Sequence, residues 1–503
     1  MITLDALRQH AGAAPHRVAV SDGDEALTWT ELADRVEAVR AWLTRSLDAD
    51  ESHRAMVVAG NSVRVVVATA ALASLGIPWV GVDPERDGAT IAQQLDAVEP
   101  TFIVVDSSLP NLPRDFWTRW GDTAVLLDLV AFPAFDTRVT HYLAAAEGEH
   151  QPAPWVQPPF SALGFTSGTT GTPKLFIRRE RTENQRVAFL RDRFDFGPGD
   201  SFLITSPLAF ASGHVWAGAA LALGASVRLG PPDPEAAVEV LAEERLTGAF
   251  LVPPFLDRLL EAATTTHRDA DLTALRFLLT GGRHISPRTI DQTRDRLGDL
   301  LYAYYATTET GINTLADPAD LAAAPYTAGR FMPGVTVRAL DPDTLVELPV
   351  GRVGLLAIDS AFALDEYVHR PLDTVEIAGR RHILTSDYGY LGDDGRLYVT
   401  ARSEPGLDVV RIEGVIKEDP AVRDVCVTSG LDGAGTGAVA VVVLRPGLAP
   451  ELRQRALVRV GEVLGRYAGP ARVTEVERIP YNSAGKVALP VLREEVGVRV
   501  GAA

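Results

Sequence analysis

Short apolar runs with no polar alternation recur through the first part of the chain, and they restrict its architecture more than any other feature. Ala55 to Ala59, Trp79 to Val82 and Phe102 to Val105 form the first set. A strand that is apolar on both sides must be covered on both faces, which places it in a parallel sheet between helices. The Asn61-Ser62 pair offers a helix cap ahead of an alanine-rich stretch ending at Gly76, and a βαβ rhythm results. A second block repeats it, with strands predicted at Phe202 to Thr205, Ser226 to Leu229, Ala249 to Val252 and Phe277 to Thr280. From Val335 to Ile358 the runs VTVRAL and VGLLAI alternate, as antiparallel strands do.

Past Arg402 the pattern becomes compact. It predicts a helix near Val410 to Glu418, strands at Val422 to Thr428 and Ala438 to Leu444, a helix near Glu451 to Tyr467 and a strand at Val473 to Arg478. The GAGTG run at Gly433 to Gly437 opens no helix, so it is expected as a hairpin turn rather than a dinucleotide fingerprint. At 503 residues the chain exceeds what one core accommodates. The expected fold is α/β: a large domain, residues 1–402, of stacked mixed and parallel sheets with helices and an antiparallel subdomain, then a small mobile α+β domain, residues 403–503.

The net charge of -18 argues against nucleic acid and against an anionic membrane surface as partners. A single cysteine, Cys426, rules out an internal disulfide and a cysteine-built zinc site, and fits a reducing cytoplasm. The stretches Val65 to Val82 and Pro207 to Val227 are long and uncharged, but Gly76, Pro78, Gly213, Gly218 and Gly224 interrupt them. Each is expected as a buried helix followed by a buried strand, not a membrane span. The opening MITLDALRQHAGAAPHR carries no apolar signal core.

Between the two βαβ blocks lies GFTSGTTGTPK, Gly164 to Lys174. Thr166, Ser167, Thr169 and Thr170 supply hydroxyls, while Gly168 and Gly171 let the backbone approach a ligand closely. Successive N–H groups then form a nest for anionic oxygens and Lys174 adds a point charge, a means of holding polyphosphate. No Gly-Lys-Ser/Thr closes the run, so it is not a Walker loop. A flexible linker can share this composition, but the apolar flanks Ser161 to Phe165 and Leu175 to Ile177 favour strand, loop, strand. In so acidic a chain, a polyanion must be held by such local donors together with a metal ion.

Four motifs follow: LTGGR at Leu279 to Arg283, YYATTETG at Tyr304 to Gly311, LTSDYGYLGDDGRLYVTAR at Leu384 to Arg402, and IPYNSAGK at Ile479 to Lys486. Tyr305 can stack on a base, Thr308 can donate to a phosphate, and Glu309 can hold a hard Mg²⁺ ion. Asp387 can accept from two ribose hydroxyls, and Lys486 can reach an α-phosphate. Each also has a plain structural explanation: a core tyrosine, a turn aspartate, a solvated lysine.

Taken in order, FTSGTTGTPK, YYATTETG, TSDYGYLGDDGRLYVTAR and PYNSAGK resemble the adenylate-forming superfamily of acyl- and aryl-CoA ligases, nonribosomal adenylation domains and luciferases. LTWTELADRVEAVRAWL and LASLGIPWVGVDP are similar to its N-terminal signatures, and the resemblance covers residues 1 to 490. It implies an active site at the junction of the two domains, with ATP and Mg²⁺ required and CoA left open. A small-molecule acid would be activated as its AMP anhydride with loss of pyrophosphate. The small domain then rotates and a second nucleophile takes the acyl group. The resemblance assigns Thr166 to Lys174 to the β- and γ-phosphates, and Gly282, Arg283 and His284 to the adenine and acid pocket. Tyr305, Thr308 and Glu309 would serve base, phosphate and metal, Asp387 and Arg402 the ribose, and Lys486 the adenylation step.

Three departures bear on the substrate. Amino-acid activators of the superfamily carry an aspartate beside the substrate amine, and Phe210 of AFASG stands there, which suits a plain, aromatic acid. Leu175 replaces the glycine that usually follows the loop lysine, a minor change. After Arg402, RSEPGLDVVRIEGVI retains Glu404 as a hinge acid but lacks the Ile-Lys-x-x-Gly loop that lines the pantetheine tunnel. That disfavours a carrier protein and puts thioester formation in doubt unless another loop substitutes. An amine acceptor is one alternative. Another is a diazotase reaction, in which nitrite forms the adenylate, an aryl amine attacks it, and Arg283 and His284 receive the small anion. A conventional CoA or carrier-protein ligase and a non-catalytic nucleotide-binding module complete the set. Joint retention of Lys174, Glu309, Asp387 and Lys486 argues against the last.

Overall fold

The computed structural model describes residues 3–47, 52–131, 162–165, 174–178, 184–368, 370–404, 406–429, 437–469, 471–482 and 484–500. The first apolar block builds a four-stranded parallel sheet in the order Trp79–Val82, Ala55–Val58, Phe102–Val105, Val125–Asp128. Phe102, Ile103, Val104 and Val105 are fully buried, as two-sided covering requires. Burying each contributes about 1.5–3 kcal/mol. The connecting helix Val63–Ser74 starts where Ser62 accepts a hydrogen bond from the Val65 N–H, the cap expected from sequence.

The second block forms the centre of a nine-stranded sheet. Phe277–Gly281, Gly248–Phe250, Ser201–Ile204 and Ser226–Leu229 run parallel, flanked by Leu301–Thr307 and Gly311–Ala316 on one side and Val18–Ser21 on the other. The strand expected to reach Val252 stops at Phe250, because Val252 caps a helix whose first residues are Pro253 and Pro254. Proline suits a first helical turn and not a central ladder. One apolar cluster joins both sheets through Trp29, Val36, Val67, Leu72, Trp216 and Ala220 of the helices between them. Among the described residues no helix is long and apolar enough to cross a membrane.

Val335–Leu340, Gly354–Ser360 and Arg380–Leu391 pair antiparallel, as the alternating runs predict, with Thr374–Ile377 and Leu397–Arg402 also on Arg380–Leu391. A small three-stranded sheet pairs Ala162–Phe165 with Leu175–Arg178, and Leu175–Arg178 with Glu366–Tyr367. The Gly/Thr loop thus joins two antiparallel strands; its residues 166–173 lie outside the described residues.

The small domain stacks helices on both faces of a three-stranded sheet, Val422–Ser429, Ala438–Leu444 and Ala471–Glu475. Ala438, Ala440 and Val442 face one apolar cluster with Ile412 and Leu464; Val439, Val441 and Val443 face another with Leu492 and Val496. That is the two-residue period of a strand. The last strand starts and ends earlier than predicted, set by its parallel register of Ala471 on Ala438. Cys426 is buried in the second cluster, onto which Tyr481, Val487 and Leu489 also pack. The connection between the strands at 429 and 438 runs through residues 430–436, outside those described, so the expected GAGTG hairpin is seen only as its antiparallel flanks.

Gly81, on the strand Trp79–Val82, lies tight against the backbone of Ala209. A Cβ there would lie 2.4 Å from the Ala209 Cα. Gly81→Ala is therefore expected to destabilise the protein by about 1–3 kcal/mol through overpacking. Thermal unfolding checks it, and an unchanged midpoint would mean that the segment at Ala209 yields freely.

Candidate active site

A cavity of about 240 Å³ opens where the strand ends of the large domain meet the small one. Gly81, Phe165, Phe176, Phe210, Phe250 and Tyr304 give it aromatic and open walls. Gly282, Thr308, Ala484 and Lys486 border it as well. Phe210 stands at the N-cap of the helix Ala211–Ala222 and lines the cavity. Three arginines do so too: Arg86, Arg178 and Arg186.

Sequence reasoning missed Arg178. Its guanidinium donates to the Phe362 carbonyl at 2.5 Å and the Thr308 carbonyl at 2.6 Å, pinning the turn that carries Thr308 and Glu309. A signal existed: Phe176 and Arg178 are two apart on one strand and so share a face, and both line the cavity. Tyr367 was missed as well. Its hydroxyl donates to Glu309 Oε1 at 2.5 Å, and its ring lies 5.7 Å from Lys174 Nζ. Lys174, Tyr367 and Glu309 thus form one chain. Burial, then the Glu309 charge, pushes the Tyr367 hydroxyl well up, so it stays a donor. Among the described residues no group of three or more His, Cys, Asp or Glu side chains could cage a metal. A lone carboxylate beside a phosphate loop fits Mg²⁺, which keeps waters and substrate oxygens as its other ligands.

Asp387 and Arg402 face each other across paired strands, with Arg402 Nε 3.8 Å from Asp387 Oδ1. The Tyr305 hydroxyl donates to Asp387 Oδ2 at 2.7 Å, and the Tyr305 ring packs against the antiparallel subdomain while Tyr304 lines the cavity. Lys486 enters from the small domain. Burial, then the nearby Arg402 charge, lowers its ammonium to about 8, against the pull of Asp387 and Glu309. Glu309, Asp387, Arg402 and Lys486, far apart in the chain, therefore share one neighbourhood.

Arg283 and His284 do not. After Phe277–Gly281 the backbone turns through Gly282 at φ +91°, and both side chains point away from the cavity into the small domain. Arg283 donates to Glu413 Oε2 at 2.6 Å, the Val425 carbonyl at 3.0 Å and the Tyr481 hydroxyl at 2.6 Å. His284 Nε2 lies 3.0 Å from the same Glu413 oxygen. Burial alone would raise the Glu413 carboxyl, but Arg283 and His284 outweigh it and hold it at about 2. The expectation that these two residues receive a substrate anion is corrected: their hydrogen-bonding capacity is turned to the domain junction. Gly282 alone of the three borders the cavity.

Glu404 belongs to the connection between the domains, and its Oε1 accepts from the Thr428 hydroxyl at 2.8 Å and the Ser429 N–H at 3.0 Å. The helix Val409–Lys417 begins soon after, capped by Asp408. Among the described residues of 403–408 there is no strand or helix. The expected phosphate-loop residues Thr166, Ser167, Gly168, Thr169, Thr170 and Gly171 lie outside the described residues.

Two family profiles match the chain. AMP-binding enzyme covers residues 7–368 and AMP-binding enzyme C-terminal domain covers residues 411–486. The chain is 27% identical to indoleacetate–CoA ligase of Aromatoleum aromaticum, over 97% of each protein. It is similar in structure to the amide bond synthetase McbA of Marinactinospora thermotolerans, at 25% identity and a TM-score of 0.79, over 98% of this chain and 99% of that one. ATP-bound MatB from Rhodopseudomonas palustris shares the fold, at 23% identity and a TM-score of 0.81 over the same shares.

Proposed function

We propose, for a chain that belongs to the AMP-binding enzyme family of adenylate-forming ligases, that it activates a small aromatic acid with ATP and passes the acyl group to an amine. In the first step an oxygen of the acid bonds to the α-phosphorus of ATP, the bond from that phosphorus to the bridging oxygen of pyrophosphate breaks, and pyrophosphate leaves. Lys174 and the loop 166–173 hold the β- and γ-phosphates. Thr308 donates to a phosphate oxygen, pinned in place by Arg178. Glu309 would hold Mg²⁺, which when bound neutralises phosphate charge. Asp387 accepts from the ribose hydroxyls beside Arg402, and Tyr305 orients Asp387. Lys486 stabilises the charge that spreads over the phosphoryl oxygens in the transition state. The aromatic walls at Phe210, Phe250 and Tyr304 suit an aryl ring.

The acceptor reading rests on one observation. Only six residues, 403–408, separate the strand ending at Arg402 from the helix starting at Val409, and the Ile-Lys-x-x-Gly sequence is not among them. An amine needs no pantetheine tunnel: its nitrogen attacks the acyl carbon, AMP departs with the bonding pair, and the amine gives up one proton. A CoA thioester is the second reading, favoured by the end-to-end likeness to a CoA ligase. The diazotase reading has lost the anion site that Arg283 and His284 were expected to provide.

One assay separates them. The protein is incubated with ATP, Mg²⁺ and a panel of aryl acids, each with an amine, with CoA, or with neither, and in a further arm with nitrite and an aryl amine. AMP and products are measured. The expected result is amide formed with amine and no stimulation by CoA. CoA-stimulated thioester would select the second reading, and nitrite-dependent consumption of the aryl amine the third.

A further inference from the structure

We propose that Arg283 is a positioning residue for adenylation, holding the loop that carries Lys486 against the large domain by gripping Tyr481 at the loop's base. The inference rests on the reading of Lys486 given above.

Hydrogen bonds centred on Asn482 tie the described residues of the loop together. Asn482 N–H donates to the Lys486 carbonyl at 2.8 Å, and Asn482 Oδ1 accepts from the N–H groups of Ala484 at 3.1 Å and Lys486 at 2.9 Å. Tyr481 bridges to Val487 across it. With its interior so tied, the place of the Lys486 amine depends on how the loop base and tip meet the large domain. The tip meets it at Gly485, where φ is +74° and a Cβ would fall 2.8 Å from the Val252 side chain. The base meets it at Tyr481. Its hydroxyl receives Arg283 at 2.6 Å and donates to Asp424 Oδ2 at 2.6 Å, and its ring lies 5.5 Å from the guanidinium.

Arg283 is itself immobilised. Glu413 and the Val425 carbonyl hold its other nitrogen, and Glu413 in turn accepts from the Val427 N–H at 2.7 Å. A planar guanidinium fixed at several points transmits orientation in a way that a lysine ammonium does not. Two neighbouring junction pairs belong to the same network, His284 with Glu413 and Lys417 with Asp257 and Asp424, while the pairs of Arg423 and Arg445 with Glu261 lie elsewhere. They fix the domain as a whole, whereas Arg283 touches the loop itself.

The test compares half-reactions in the full-length protein. ATP–pyrophosphate exchange reports adenylation, and amide formation from a chemically prepared acyl adenylate reports the second step. Arg283→Met is expected to lower kcat for exchange by about 10²-fold, the scale of a roughly 1 Å misplacement. KM for ATP and transfer from the prepared adenylate should stay within about twofold. Arg283→Lys should recover part of the loss. Glu261→Gln, which removes the remote pairs, should leave both steps near wild type. Where Arg283→Met does not fold, Tyr481→Phe removes the contact without a gap and should show the same selective loss. Unchanged exchange, or an equal fall in both steps, overturns the proposal. Lys486→Ala run alongside separates the two readings: normal exchange there sinks the role of Lys486, while its loss together with intact Arg283 and Tyr481 variants sinks only the role of Arg283.

Discussion

Lys486→Ala is expected to slow ATP–pyrophosphate exchange by at least about 10²-fold, the usual consequence of losing one preorganised donor at developing charge. In the proposed role the ammonium stabilises charge developing on the phosphoryl oxygens and does not contact base or ribose, so the loss should fall on kcat. A pH signature accompanies it. Burial, then Arg402, lowers the Lys486 ammonium to about 8 in the free protein. With the cation as the active form of the proposed role, kcat/KM for ATP is expected to hold below that value and to decline as pH rises through it. Lys486→Arg, charged at all these pH values, should lose that alkaline limb whatever its absolute rate. An unchanged exchange rate in the alanine variant would remove Lys486 from the chemistry.

Glu413→Ala should give the largest loss of domain docking. Glu413 is 2% exposed and receives both Arg283 and His284 from the large domain. Removing one member of a buried pair costs about 3–5 kcal/mol, because the partner charge stays desolvated. Here the protein has an escape: the small domain can swing away and let Arg283 rehydrate. The expected outcome is thus faster proteolysis of the connection after Arg402 and a larger radius of gyration by solution scattering, with the unfolding midpoint of the large domain retained. Acid should act alike, since a carboxyl held at about 2 contributes docking strength above its usual pKa of 4.5 and loses it as pH falls toward 2. Wild-type compactness in the variant would show that the other junction contacts suffice.

Much of the fold was legible because burial writes itself into local pattern. Uninterrupted apolar runs announced the parallel strands, VTVRAL and VGLLAI the antiparallel ones, and Ser62 a helix start. The neighbourhood of Glu309, Asp387 and Lys486 was legible only through motif order, since nothing in spacing says that positions so distant meet. Arg283 was misread because its motif borders the pocket through Gly282, while the positive φ at Gly282 turns the next side chain outward. Its partners, Glu413 and Tyr481, belong to another domain and carry no local signal. Tyr367 was invisible for a similar reason: the two-residue strand that presents it is defined only by pairing with Phe176 and Ile177.

Cys426 gives the enzyme an intrinsic reporter. It is the one sulfhydryl in the chain, and it is buried on the small-domain sheet in the apolar cluster onto which Tyr481, Val487 and Leu489, of the segment bearing Lys486, pack. Burial, then the Glu413 charge, raises its thiol far above the ordinary range, so reagent reaches it slowly while that segment is down. The rate at which an alkylating probe marks this single atom is therefore expected to time the opening of that cluster and of the segment packed on it, readable by mass in the unaltered protein and without any engineered label.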